Sequence, residues 1–155
     1  MLTMLVAAAF AATPVSAKAD AAAQIAHALT PRESFRSMIL MTLDQGNAGA
    51  GLAKAVGAPR ADALLAEAAE EMSFRYAETW EANLAAAYRT ALTPAELAAV
   101  LAGVHRDDYS VLAPVSARVG GAFYRNSESL LRKATDEAVR QATDEANRSA
   151  PIAGS

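Results

Sequence analysis

The sequence predicts an all-α fold, a small bundle of about five helices behind an N-terminal signal segment. Three observations lead there. Alanine, the strongest helix former, fills 41 of the 155 positions. No segment alternates β-branched with polar residues over the length of a strand. Apolar residues instead recur at helical spacing between proline and glycine punctuation. Aromatic residues make up only 6% of the chain, so the core is shallow and dimerisation is one remedy for modest stability.

Residues 1–17 read as a signal peptide. Met1 to Ala17 carry no charged side chain, and Leu2 to Ala12 form an apolar run that stops just before Thr13-Pro14. That run has the length of a signal core and falls well short of the ~20 residues of a bilayer span, so no transmembrane helix is expected. Cleavage requires small residues, which places it after Ala17 or after Ala19. The usual Lys or Arg ahead of the apolar run is missing, and a buried N-terminal helix is the alternative. Export implies a soluble protein, most simply periplasmic in a bacterial cell. With no cysteine in the chain, it would be held together by packing alone.

Residues 20–149 are expected to form a single helical domain. Asp20 to Leu29 is a short alanine-rich helix. Thr30-Pro31-Arg32-Glu33 has the order of a capping box and opens a second helix, whose apolar residues Phe35, Met38, Ile39, Met41 and Leu43 spread widely around it. The three glycines in Gly46 to Gly51 predict a hinge or loop, followed by a turn or two of helix to Val56.

From Arg60 or Ala61 to Leu92 there is neither glycine nor proline, which predicts the longest helix of the chain. It carries Met72, Tyr76, Trp80, Leu84 and Tyr88 at a strict spacing of four, a ridge that slowly wraps the helix. Thr93-Pro94-Ala95-Glu96 is a second capping box, and Leu97, Val100, Leu101 and Val104 give the helix behind it one apolar face.

Pro114 then stands near the start of a last helix with Val115, Val119, Ala122 and Phe123 inward, and Gly120-Gly121 permit a kink or a close contact. Its tail, 134–149, is a tandem repeat of eight residues. Eight residues overshoot whole turns by about 80°, so the tail is expected to be solvated. Glu128 with Arg132, Asp136 with Arg140 and Asp144 with Arg148 are acid-before-base pairs that support a lone helix. Residues 150–155 are expected to be a disordered end.

The absence of cysteine excludes a cysteine zinc site and a thiol nucleophile. Fourteen basic against seventeen acidic residues offer no stripe for nucleic acid. Gly46, Gly49, Gly51 and Lys54 lack the ending and the preceding strand of a phosphate loop. His105 with Asp107 or Asp108 could ligate a metal in a hydrolase, although three such residues at one helix end are ordinary surface. No cofactor, metal or catalytic residue is assigned. The candidate interaction or apolar-ligand surface is the ridge Met72, Tyr76, Trp80, Leu84 and Tyr88, whose aromatic and thioether mixture serves in cores and at interfaces alike.

The stretch Leu84 to Ala102, with its helix end, Thr93-Pro94-Ala95-Glu96-Leu97 turn and re-entering helix, resembles the DUF2059 family of bacterial periplasmic proteins over about residues 60–125. Gly103-Val104 and Asp107-Asp108-Tyr109 stand where that family has an aromatic pair and a Ser-Pro-x-Gly turn. The resemblance implies a periplasmic helical protein and names no reaction. The function expected is therefore contact with an unknown envelope protein, as an adaptor or accessory. The alternatives are a carrier of a small apolar ligand between helices, in a cavity lined by Met38, Met41, Met72 and Trp80, and the metal-dependent hydrolase.

Overall fold

In a computed structural model that describes residues 14–29 and 31–149, the chain is helical throughout and has no strand among those residues. Seven α-helices follow one another: α1 Pro14–Ala28, α2 Pro31–Gln45, α3 Ala48–Val56, α4 Ala58–Arg75, α5 Ala77–Ala91, α6 Pro94–Val104 and α7 Ser116–Ser149, with a short 3-10 turn at Tyr109–Leu112 before the last. Two more helices than expected arise because α3 is a helix in its own right and because the long central helix is broken.

Local chemistry sets several boundaries. Proline opens α2 and α6, where a missing N–H costs nothing. The capping box of α6 forms in full: the Glu96 N–H donates to Thr93 Oγ1 at 3.3 Å, and the Thr93 N–H donates to Glu96 Oε2 at 2.8 Å. The matching box at Thr30 lies outside the described residues. Gly57, at φ 85°, turns the chain between α3 and α4 in a conformation that suits glycine. α1 begins at Pro14, earlier than Asp20, and both expected cleavage positions fall in its first two turns. Its buried residues Ala22, Ile25 and Ala26 all follow them.

The glycine-rich segment is a correction. Only Gly46 and Asn47 form a bend; Gly49 and Gly51 are inside α3, whose Leu52 is buried against the main core. Tertiary packing outweighs the helix cost of two glycines, about 1 kcal/mol each.

The central helix is a second correction. It breaks at Tyr76, whose backbone sits at φ −110°, ψ 9°. Neither glycine nor proline causes this. The Tyr76 hydroxyl donates to Glu137 Oε2 at 2.8 Å and Arg75 donates to the same oxygen at 3.1 Å, so a carboxylate on α7 grips both residues at the break. The longest helix is α7, 34 residues and roughly 50 Å long. Gly120 and Gly121 do not interrupt it, and Pro114 lies two residues before its start.

α7 is the spine, flanked by α4 and α5. Around its C-terminal half lies one core, built from Phe35, Ile39 and Leu43 of α2, Leu64, Leu65 and Met72 of α4, and Trp80 of α5. Around its N-terminal half lies a second, with Ile25, Tyr88, Leu92, Leu97, Val100 and Val119. Phe123 packs against both.

The tail supplies a third correction. Ala134, Ala138, Ala142 and Ala146 are all buried in the first core, so the repeat is solvated on one side only. Each eight-residue unit carries alanine at its first and fifth positions, and that four-residue period makes a continuous small-residue ridge against which α4 lies closely. Of the three pairs expected there, Glu128 and Arg132 meet at 3.1 Å, whereas the Arg148 guanidinium pairs with Glu145 at 2.8 Å.

Candidate functional site

The ridge from Met72 to Tyr88 does not form one face. Met72 and Trp80 lie in the first core at 0% and 2% exposure, Tyr88 in the second at 4%, and Tyr76 and Leu84 are half-buried. Trp80 stacks on Phe35 with ring centroids 4.3 Å apart, meets Phe123 edge-on at 4.5 Å, and donates its indole N–H to Ser34 Oγ at 3.1 Å. Stacking, edge contact and hydrogen bond occupy the whole side chain, leaving nothing to present to a partner. Burial pushes the Tyr88 hydroxyl above its ordinary value.

Tyr76 works within the fold. Its hydrogen bond, followed by that of Arg75, holds the Glu137 carboxyl below the usual carboxylate range, and the Lys133 ammonium lies 5.2 Å from the Tyr76 ring centre.

His105, Asp107 and Asp108 are exposed. Among the described residues no three His, Cys, Asp or Glu side chains are grouped to hold a metal. Asp107 occupies a left-handed backbone position at φ 56°. Asp108 caps the 3-10 turn: its carboxylate accepts the Ser110 hydroxyl at 2.5 Å and the Ser110 N–H at 3.2 Å, and these bonds lower its pKa. The helix end is thus shaped by turn chemistry.

An open trough between α2 and α7 is the feature the ridge was expected to supply. Met38, Leu131 and the exposed Met41 and Tyr124 line it, with Thr42, Gln45 and the Glu128–Arg132 ion pair among its polar edges, around a volume of about 410 Å³. Of the two methionines expected beside Met72 and Trp80 in one cavity, Met41 is on the surface side of α2, whereas Met38 is half-buried and packs against the core that holds Met72 and Trp80. The signal for this trough was the spread of apolar residues around α2: Phe35, Ile39 and Leu43 supply the buried face and leave Met41 outside it. Tyr124 carried no such signal, since its neighbour Phe123 turns toward the cores.

No family model matches the chain, and neither a curated protein nor a solved structure matches it. The resemblance over residues 60–125 therefore rests on its motifs alone. Among the described residues, no helix is long and apolar enough to cross a membrane.

Proposed function

We propose that this chain is an exported, non-catalytic helical protein that acts through protein–protein contacts, and that the contact is the trough between α2 and α7. The observation that carries this is the pairing of exposed Met41 and Tyr124 over a floor of Met38 and Leu131. Methionine adapts its shape to a partner, and tyrosine offers flat apolar area with a polar tip. The trough is only partly enclosed, whereas sites for small molecules enclose most of their ligand. Its form therefore suits side chains delivered from a partner's surface better than a free apolar ligand. The apolar signal core and the small residues at 17 and 19 support export.

A Met41→Asp, Tyr124→Ala chain tests the contact, because both residues are exposed and surface changes normally shift stability by no more than about 0.5 kcal/mol. A discrete envelope protein retained by the wild type should be lost by this variant and kept by Thr143→Ala, which lies outside the trough. Equal retention by all three chains would sink the assignment. N-terminal sequencing of the exported fraction should begin at Lys18 or Asp20; an intact Met1 confined to the cytoplasm would end the export reading.

A further inference from the structure

Sulfur in this chain is thioether only. It has five methionines and no cysteine, so an oxidant that would first meet a thiol in most proteins meets a methionine here. Met1 and Met4 fall in the segment that the export reading removes, which leaves Met38, Met41 and Met72. Burial ranks these three. Met72 is fully enclosed, Met38 is half-buried against the same core, and Met41 stands 48% exposed.

Met41 owes its exposure to its place on α2. Ile39 and Leu43 lie in the first core, and a step of two residues from either turns the helix by about 200°, which sets Met41 on the opposite side. Its sulfur can therefore gain an atom without disturbing the core. The same side chain lines the trough between α2 and α7, beside Tyr124 and Leu131. Two donors of that lining are already engaged: the Thr42 hydroxyl donates to the Met38 carbonyl at 2.8 Å, and the Arg132 guanidinium donates to Glu128 at 3.1 Å. A new oxygen on Met41 is left to water.

We propose that Met41 is the oxidation-sensitive site of this protein, and that its conversion to the sulfoxide by a peroxide switches the α2/α7 trough from apolar to polar. The consequence for binding rests on the trough reading above; the site of oxidation does not. The sulfur lone pair attacks a peroxide oxygen, and an S–O bond forms as the O–O bond breaks. The departing hydroxide takes the proton left on the new oxygen and leaves as water, so sulfur loses the electron pair that the peroxide gains. The product is a polar, hydrogen-bond-accepting group on a formerly apolar side chain. A partner that covers it with apolar side chains strips the water from its oxygen and leaves that oxygen unpaired, which weakens the contact.

The test treats the full-length protein with dilute hydrogen peroxide and locates the added oxygen by mass spectrometry after trypsin. Fragmentation of peptide 37–54 separates Met38 from Met41, and peptide 61–75 carries Met72. Met41 should oxidise at least about tenfold faster than Met72 and ahead of Met38, and concentrated urea should erase the difference. Met38 or Met72 keeping pace with it in the folded protein overturns the proposal. Met41→Leu keeps the apolar bulk and cannot be oxidised at this position. Peroxide should therefore bring the wild type off a phenyl column earlier by more than it does Met41→Leu, and equal shifts overturn the change of surface. The urea midpoint read from Trp80 should not move; a fall marks damage to the core and overturns a switch confined to the trough. The envelope protein retained by the wild type should be lost after peroxide, kept by peroxide-treated Met41→Leu, and recovered after methionine sulfoxide reductase with a dithiol. Retention by the oxidised wild type overturns the switch alone, whereas retention by the Met41→Asp, Tyr124→Ala chain sinks the trough itself and the switch with it.

Discussion

Ala138→Leu tests whether the tail of α7 is a packed seam. Ala138 is fully buried, and so are Ala134 and Ala142 one turn to either side. The same core holds Leu64, Leu65, Ala68, Ala69 and Met72 of α4. Leucine adds three carbons. Burial would return about 0.8 kcal/mol for each, roughly 2.4 kcal/mol in all, if the seam had room. A ridge of alanines has none to give, because its closeness is what excludes water, so α7 must shift away and loosen its neighbours above and below. Overpacking of this kind typically costs about 1–3 kcal/mol net.

With a urea dependence of about 2 kcal/mol per molar, the midpoint should fall by about 0.5–1.5 M. Trp80, the single tryptophan, lies in the same core and reports the transition by fluorescence, with far-ultraviolet circular dichroism as a second probe. Arg140→Leu, an exposed position two residues along, is the control and should stay within about 0.5 kcal/mol of wild type. A solvated tail would make the two variants alike. An unchanged or higher midpoint for Ala138→Leu refutes the packed seam.

Other positions give independent tests. Ser127 is 4% exposed and its hydroxyl has no partner, so Ser127→Ala should raise stability by about 1 kcal/mol in the same titration, and a fall would show a hidden bond. At Gly103 an added Cβ would stand 2.5 Å from Val111 Cγ2 and 3.1 Å from the Asp108 carbonyl, so Gly103→Ala should cost about 1–3 kcal/mol. At Gly49 the nearest atom is Leu65 Cδ1 at 3.6 Å, so Gly49→Ala should gain about 0.5–1 kcal/mol; equal thermal shifts for both glycine variants would contradict the packing around Val111. Hydrogen bonds from Arg118, then from Thr93, hold the Glu96 carboxyl down to about 2 from its ordinary 4.5. A lowered folded pKa stabilises above the ordinary value, and the stabilisation disappears as pH falls from 4.5 toward 2. Glu96→Gln should therefore flatten stability across that window, and a wild-type slope retained by the variant would place the acid sensitivity elsewhere.

How far the sequence revealed the fold depended on where each cause lay. Proline at N1 and the Thr93–Glu96 box act within four residues, so the starts of α2 and α6 were legible. The break at Tyr76 was not, because the carboxylate that grips it is 61 residues away on α7. Alanine is a weak signal in either direction: its methyl is too small to mark a buried face, and only the nearness of α4 makes Ala134 to Ala146 a core.

The candidate ridge is split for a related reason. Steps of four residues advance about 40° beyond a full turn, so Met72 and Tyr88 stand roughly 160° apart even on an unbroken helix. A ridge that wraps so far cannot address one partner. It is divided between two cores, Met72 and Trp80 serving one and Tyr88 the other. On α7 the alanine ridge wraps as well, yet Ala134, Ala138, Ala142 and Ala146 all reach one core with α4, since nothing bulky obstructs the approach. One spacing thus gives a divided ridge where the side chains are large and a continuous seam where they are methyls, and side-chain volume decides between them.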